Sequence, residues 1–259
     1  MPNTKGNAVP LWGITSDFTV VAFDLDHKPK PMSDSNFALK IAIAEDGTVW
    51  VVTTTPDPDG GGAKIFWSDG DGNWTEINTP DPGGVAIAGY SGSSCIYLDD
   101  KGILRTLTTG GETEVIFNNP ALADFDYCAG YLWALFPQTA GGPPVLQYKN
   151  LAKDPDFHVF VGDKMPVSLS VDYQGDCSGA LDGTPQSFAN DGQSEYPIGS
   201  GLEGKTLQIT SKNWSYALSS DTNEDGNMIY MWQDVAGGQF QSTGMRASYI
   251  ATTFYMGNR

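Results

Sequence analysis

Residues Ile41–Ile77 read IAIAEDGTVWVVTTTPDPDGGGAKIFWSDGDGNWTEI and contain four short apolar runs. The runs are rich in β-branched and aromatic residues, and they are separated by Asp-Gly turns or by a loop of Pro, Asp and Gly. Such runs are typical of β-hairpins, and two hairpins in sequence predict a four-stranded meander. A four-stranded unit of about 40 residues indicates one blade of a β-propeller.

The aromatic residue that ends the third run has apolar counterparts along the whole chain. Successive members of this series lie 40 to 44 residues apart, at Phe23, Trp67, Leu107, Tyr148, Phe188 and Trp232. The series predicts an all-β, six-bladed propeller of four-stranded antiparallel blades. In the last blade, we expect the C-terminal segment ASYIATTFYMGNR to supply two strands and the N-terminal segment FTVVAFDLDHKPKPM the other two. Closing a blade with both termini leaves no free edge.

A second repeat, about twice as long as the 40-residue series, is also present. Trp50, Trp133 and Tyr216, on predicted second strands, are each 83 residues apart. Long connections after these strands (53–62, 137–144 and 219–227) alternate with short ones (99–102 and 181–184). The blades therefore form unlike pairs, which predicts a pseudo-threefold propeller in a single domain over residues 1–259.

The composition narrows the classes of partner. The 259 residues include 31 acidic and 14 basic side chains, a net charge of −17. This charge disfavours nucleic acid and anionic surfaces, because both require a cationic binding face. The sequence has neither a long apolar run nor the basic-then-apolar pattern of a signal peptide. We therefore expect no membrane insertion and a cytoplasmic location, or export without a classical signal peptide.

Three cysteines indicate the redox state of the chain. Cys95, Cys128 and Cys177 are an odd number, and two of them fall in predicted strands. Small thiols in strands are typical of a buried core in a reducing compartment, so we expect free thiols and no disulfide framework.

The segments LKIAIAEDGTVWVVTT, IFWSDGDGNWTEIN and ILRTL resemble the repeats of tectonin-type β-propellers. Those repeats run from a strand through an Asp-Gly turn to a Val-Trp strand and end on Trp-x-x-Ile. The likeness is good over residues 39–117, fair over 121–160 and weak over 167–243, where Gly179 replaces the second-strand aromatic. Tectonin-like propellers are frequently lectins, so the resemblance implies carbohydrate binding without identifying a sugar.

Signals for an enzyme are few. Only His27 and His158 are present, which disfavours a histidine-based triad or a metal site with several histidines. The sequence lacks the nucleophile elbow, the zinc-protease motif, the phosphate loop and the dinucleotide fingerprint. Paired carboxylates stay open as an alternative, since 31 acidic residues always offer pairs.

One local motif predicts a calcium site. Asp221, Asn223 and Asp225 precede Gly226 in the order D-x-N-x-D-G, in which alternate oxygens turn toward one hard cation. The bidentate Glu at the twelfth position is absent, because Trp232 stands there. The competing interpretation is a tight turn, which the same residue types favour.

Aromatic rings and acidic loops supply the candidate sugar contacts. Pyranose C–H faces stack on rings, while hydroxyls bond to carboxylate and amide oxygens. Most aromatic residues repeat with the blade and are assigned to packing. Trp12 and Trp214 lack a repeat partner, Trp67 and Trp232 stand at strand ends, and three Asp residues fall in connections. The candidate residues are Trp12, Trp67, Trp214, Trp232, Asp57, Asp59 and Asp182.

The sequence thus favours a non-enzymatic lectin. Its partners would be glycans or glycoconjugates, bound at repeated sites on one loop face, and no cofactor is required apart from the calcium ion that the motif predicts. The alternative is a protein-interaction scaffold that binds a basic partner through an acidic rim. An enzyme that uses carboxylates is the third hypothesis.

Overall fold

The computed structural model describes residues 11–252 apart from short gaps. The gaps are residues 25, 27, 57–62, 78–85, 119–121, 138–143, 163–164, 167, 173, 182–183, 201, 203–205, 211–213 and 234–237. The described residues contain 24 strands and no helix, arranged as a six-bladed β-propeller of four-stranded antiparallel blades. This is the architecture that the repeat predicts. In this part of the chain, there is no helix with the length and apolarity needed to span a membrane.

Contacts divide the chain into two compact units, and the strands are numbered β1 to β24 in chain order. The first unit, residues 1–120 and 247–259, holds blades 1 to 3. Blade 1 consists of β24 (Tyr249–Thr252), β1 (Leu11–Ile14), β2 (Val20–Phe23) and β3 (Pro29–Pro31). Blade 2 consists of β4 (Ala38–Ile43), β5 (Val49–Pro56), β6 (Ala63–Ser68) and β7 (Thr75–Ile77). Blade 3 consists of β8 (Ala86–Gly89), β9 (Cys95–Leu98), β10 (Ile103–Leu107) and β11 (Thr113–Asn118).

The second unit, residues 121–246, holds blades 4 to 6. Blade 4 consists of β12 (Asp124–Cys128), β13 (Tyr131–Phe136), β14 (Val145–Asn150) and β15 (His158–Val159). Blade 5 consists of β16 (Ser170–Val171), β17 (Cys177–Leu181), β18 (Thr184–Phe188) and β19 (Glu195–Pro197). Blade 6 consists of β20 (Thr206–Thr210), β21 (Trp214–Asn223), β22 (Gly226–Gln233) and β23 (Gln241–Ala247).

Asp-Gly turns end the strands as the sequence predicts. Between β4 and β5, Gly47 has a φ of +92°, which glycine adopts without a Cβ clash. The Asp46 carboxylate accepts the N–H of Thr48 at 2.9 Å and so fixes this turn locally. Between β9 and β10, the Asp99 carboxylate accepts the N–H of Ile103 at 2.8 Å.

The core lies between the faces of adjacent blades. Trp50 in β5 and Tyr97 in β9 are fully buried and belong to one apolar cluster shared by blades 2 and 3. The inner strands of the same blades approach closely. A Cβ added to Gly89 in β8 would lie 2.0 Å from the carbonyl oxygen of Ile43, so only glycine fits there.

Blade 1 is closed by both termini, but with a different division of strands from the one expected. The C-terminal part supplies one described strand, β24, and the N-terminal part supplies three. β1 pairs with both β24 and β2, so Trp12 lies opposite Ala251 on one side and Ala22 on the other. The prediction missed β1 because LWGI is short and its glycine interrupts the apolar pattern.

All six members of the 40-residue series lie on third strands, which confirms the blade repeat. They are Phe23, Trp67, Leu107, Tyr148, Phe188 and Trp232. Gly179, on the second strand of blade 5 (β17), stands where other blades have an aromatic residue, and the reason is packing. A Cβ there would lie 2.4 Å from the Pro166 ring and 2.6 Å from the Ser168 carbonyl oxygen, so this chain segment fills the place of an aromatic side chain.

The three cysteines are buried and outside any disulfide, as the sequence predicts. Burial raises the pKa of the Cys95 thiol well above its ordinary value, because the thiolate loses its hydration. The pKa of Cys177 is raised for the same reason, and the nearby Asp126 carboxylate raises it further.

Candidate functional site

The candidate site lies where the outer part of blade 4 meets the outer hairpin of blade 5. After β15 the chain continues through Phe160, whose N–H donates to the Leu146 carbonyl at 2.9 Å. The next residue, Val161, donates its N–H to the Gly192 carbonyl at 2.8 Å. These two main-chain bonds hold the segment after β15 between blade 4 and the hairpin that joins β18 to β19.

An open cleft of about 440 Å³ lies at this junction. It is lined by Val159, Phe160, Val161, Gly162, Gln193 and Glu195. Its size is within the range of small-ligand pockets, which are typically apolar with a few placed polar groups.

One wall of the cleft is apolar and rigidly supported. Val159 is 56% exposed and Val161 is 74% exposed, so these two side chains face solvent. Between them, Phe160 is buried, with its ring centroid 5.5 Å from that of Phe188 and 6.0 Å from that of Trp133. This aromatic packing fixes the backbone that presents the two valines.

The opposite wall carries an acceptor without a donor. The Oε2 atom of Glu195 is buried and has no hydrogen-bond partner among the described residues. Gly162 lies beside it, since a Cβ added there would be 3.2 Å from Oε2 and 2.5 Å from the Phe160 ring. A buried polar atom without a partner costs free energy, so this oxygen favours a ligand that can donate a hydrogen bond.

The surroundings of the cleft are acidic. The Asp191 carboxylate accepts the Ser194 hydroxyl and the N–H of Gln193, and these bonds hold its pKa below the ordinary value. Burial raises the pKa of Tyr148, and the negative charges of Asp154 and Asp191 raise it further. The negative charge at this junction favours a neutral or cationic ligand over an anionic one.

Of the predicted sugar contacts, Trp12 and Trp67 have side chains within the described part of the structure. Trp12 is 2% exposed and belongs to the core of blades 1 and 2, so it serves packing and has no face for a ligand. Trp67 lies opposite Trp50 on the neighbouring strand and packs against the core shared by blades 2 and 3. Trp214 lies on β21 and Trp232 on β22, but their side chains are outside the described part of the structure, so their assignment stays a prediction.

Asp57, Asp59 and Asp182 lie outside the described residues, so their assignment stays a prediction. Sequence reasoning missed Val159, Val161, Gln193 and Glu195. The available signal was the segment VFV at 159–161, in which one buried aromatic residue separates two valines on the solvent side.

The predicted calcium residues form the tip of a β-hairpin. Asn223 on β21 pairs with Gly226 on β22, and the Asn223 side-chain oxygen accepts the N–H of Asp225 at 2.8 Å. The Arg246 guanidinium lies 3.5 Å from the Asp221 carboxylate and donates to the Asp221 carbonyl at 3.0 Å. A cation thus already occupies this position. No group of three His, Cys, Asp or Glu side chains suited to a metal occurs among the described residues. Calcium binding stays a prediction.

Two inner-strand carboxylates tie blade 4 to blade 5. Asp126 on β12 accepts the N–H of Val171 at 2.7 Å, and Asp124 accepts the N–H of Leu169 at 3.2 Å. Burial raises the pKa of Asp126 to about 7, with a smaller contribution from the Asp124 charge. Because both carboxylates bond to the main chain, the observed geometry assigns them to joining the blades.

The comparisons with known proteins define the class as a β-propeller. No family model and no curated protein match the sequence. A gluconolactonase from Xanthomonas campestris is similar in structure, with a TM-score of 0.59, 12% identity, and coverage of 90% of this chain and 87% of that one. Prp20p from Saccharomyces cerevisiae has a TM-score of 0.55, 8% identity, and coverage of 94% and 80%. Human WBSCR16 has a TM-score of 0.55, 8% identity, and coverage of 91% and 79%. At these identities, the likeness establishes the fold alone.

Proposed function

We propose that this protein is a non-enzymatic carbohydrate-binding propeller whose binding site is the cleft between blades 4 and 5. The observation that carries the proposal is a cleft with two exposed valines on one wall and Glu195, which has an unpartnered carboxylate oxygen, among its lining residues. A sugar matches both features, because its hydroxyls donate to the carboxylate while its C–H face covers the valines.

The site is small, and this limits its affinity. A cleft of about 440 Å³ holds one or two sugar rings, so we expect millimolar binding of single sugars. Tight binding to a cell surface or a glycoprotein would require several sites on one particle, since avidity multiplies weak sites without new contacts.

The test combines a glycan array with a pair of matched variants. Val161→Asp places a charge on the apolar wall and should lower the affinity for any array hit at least tenfold. Val115→Asp is the control, because Val115 is also exposed, at 52%, but lies on β11 in blade 3. Both variants change a solvent-facing valine and should keep the melting temperature of the parent protein. An empty array with folded protein, or equal binding by both variants, would contradict the proposal.

A second candidate function has its own observation on blade 3. Strand β11 is an outer strand of six residues without Pro, Gly, Lys or Arg, whereas β3 and β19 contain proline and β15 has two residues. Outer strands that lack such features pair readily with other chains. Its exposed Glu114 favours a basic segment, as the scaffold hypothesis expects.

Salt separates the two functions. Binding of a basic segment at β11 should weaken steeply between low and physiological ionic strength, and Glu114→Lys should weaken it further. Sugar binding in the cleft should change little with salt. Prp20p, whose fold is similar, binds Gsp1p and histones, so partner binding by a propeller has a precedent.

A further inference from the structure

The charges around the cleft select among sugars, and this inference rests on the proposed function. We infer that the cleft prefers amino sugars with a free ammonium group over neutral sugars, and that it excludes acidic sugars. The inference stands on three features of the second unit: the position of the Glu195 carboxylate, the charges near the cleft and the shape of its apolar wall.

The Glu195 carboxylate belongs to the lining of the cleft, and its Oε2 atom has no donor among the described residues. Gly162 lies beside it and has no side chain to offer. Among the described residues that line the cleft, none is cationic. A hydroxyl and an ammonium group can both donate to a carboxylate, but the ammonium group adds the attraction between opposite charges. An ammonium group therefore gains more at this carboxylate than a hydroxyl group does.

Three basic side chains of the second unit have partners of their own. Lys149 donates its ammonium group to the Pro155 carbonyl at 2.7 Å, and the His158 ring lies 3.4 Å from the Asp154 carboxylate. Arg246 holds the hairpin of blade 6. Because Asp191 adds negative charge beside Gln193, the field at the cleft attracts an ammonium group and repels a carboxylate.

The apolar wall explains why a sugar ring is a better match than a flexible amine. Val159 and Val161 present two side chains from one fixed segment, which suits the flat C–H face of a pyranose. A lysine side chain offers the same ammonium group but must immobilise several rotatable bonds when it binds. A rigid ring loses less conformational entropy on binding.

The test compares three pairs of sugars by isothermal titration calorimetry with the full chain. The pairs are glucosamine with glucose, galactosamine with galactose, and mannosamine with mannose, so that ring stereochemistry is matched within each pair. For at least one pair, we expect the amino sugar to bind about tenfold more tightly. N-acetylation should remove the advantage, and glucuronate should not bind.

Glu195→Gln connects the preference to the carboxylate. This variant keeps the size of the side chain and should bring the amino sugar to the affinity of its neutral partner. The control is Glu112→Gln on blade 3, which makes the same change at an exposed glutamate and should leave the preference intact.

The outcomes distinguish a failure of the ammonium preference from a failure of the carbohydrate site itself. Neutral and amino sugars that bind equally would overturn the ammonium preference and leave the carbohydrate site standing. Tighter binding of lysine methyl ester than of every amino sugar would assign the cleft to a peptide side chain and overturn the preference for sugars. If none of these sugars bound and the glycan array was also empty, the proposed function itself would fail.

Discussion

Two blade junctions in this protein share a framework and differ in what fills them. At the junction of blades 1 and 2, Met32 follows the fourth strand and donates its N–H to the third strand at 2.8 Å. Phe160 does the same at the junction of blades 4 and 5, at 2.9 Å. The facing hairpins have a glycine with positive φ at matching positions, Gly72 and Gly192.

The difference lies two residues beyond each glycine. Trp74 fills the junction of blades 1 and 2, where its indole N–H donates to the Met32 carbonyl at 2.7 Å and its ring lies 5.3 Å from that of Phe37. The matching residue in blade 5 is Ser194, whose hydroxyl bonds back to Asp191 within its own hairpin. Blade 5 therefore has a small polar side chain at the position where blade 2 has an indole.

The contacts between the inner strands also differ at the two junctions. Between β4 and β24, the Lys40 ammonium lies 4.4 Å from the centre of the Tyr249 ring. Between β12 and β16, the contact is made by buried carboxylates that bond to main-chain N–H groups. In the first contact the charged group, the Lys40 ammonium, stays near solvent. In the second contact the strength depends on whether the Asp126 carboxyl is protonated.

The largest expected effect concerns this buried carboxylate. The folded-state pKa of Asp126 is about 7, above that of an unfolded aspartate. The folded state therefore holds a proton that the unfolded state has lost, and stability falls as the pH rises from about 4 to about 7. Urea unfolding at pH 5 and pH 8 measures the effect, and between those values the loss should be about 3 kcal/mol for this group.

Asp126→Asn sharpens this prediction because it keeps an acceptor for Val171 without a titrating group. The variant should lose most of the pH dependence between pH 5 and pH 8. An unchanged dependence would show that other groups cause it. Asp172, whose pKa burial also raises, would be the next residue to test.

Removing the Trp74 indole from the junction of blades 1 and 2 should destabilise the protein. Trp74→Ala removes the indole from Phe37 and leaves the Met32 carbonyl without its donor. Because Trp74 is half-buried, we expect a loss of about 2–3 kcal/mol in the free energy of unfolding. The matched change in the open junction, Ser194→Ala, should cost about 0.5 kcal/mol or less. Similar losses at the two positions would refute the comparison.

The reverse exchange should close the cleft. In Ser194→Trp, an indole stands between Gln193 and Glu195, the two residues of this hairpin that line the cleft, and should obstruct it. We expect stability to change by about 1 kcal/mol at most. Carbohydrate binding should fall at least tenfold, as measured on the sugar that the parent protein binds best. Retained affinity would place the site elsewhere.

The smallest expected effect is that of calcium on the hairpin of blade 6. Since Arg246 already neutralises Asp221, an added cation has little to gain there. Thermal unfolding with calcium and then with chelator should give nearly equal midpoints. A midpoint that rises steadily with calcium concentration would support the predicted metal site and would require Arg246 to move.

Particular residues show which features could be predicted from the sequence and which could not. The spacing from Phe23 to Trp232 placed all six third strands correctly, because a repeated packing contact needs a repeated side chain. The repeat did not predict the surroundings of Trp12, because its strand, β1, pairs with β24 from the other end of the chain. Pairing between the two ends of a chain leaves no periodic signal in either end.

The sequence by itself determined the all-β class, the six blades, the Asp-Gly turns and the buried thiols, since each depends on local pattern. Only the tertiary structure decided where a site can be. The cleft depends on how the segment after β15 lies against the hairpin of blade 5, and its polar character depends on an oxygen of Glu195 that accepts no hydrogen bond from the described residues. Both are properties of segments brought together by folding, and neither has a pattern along the chain.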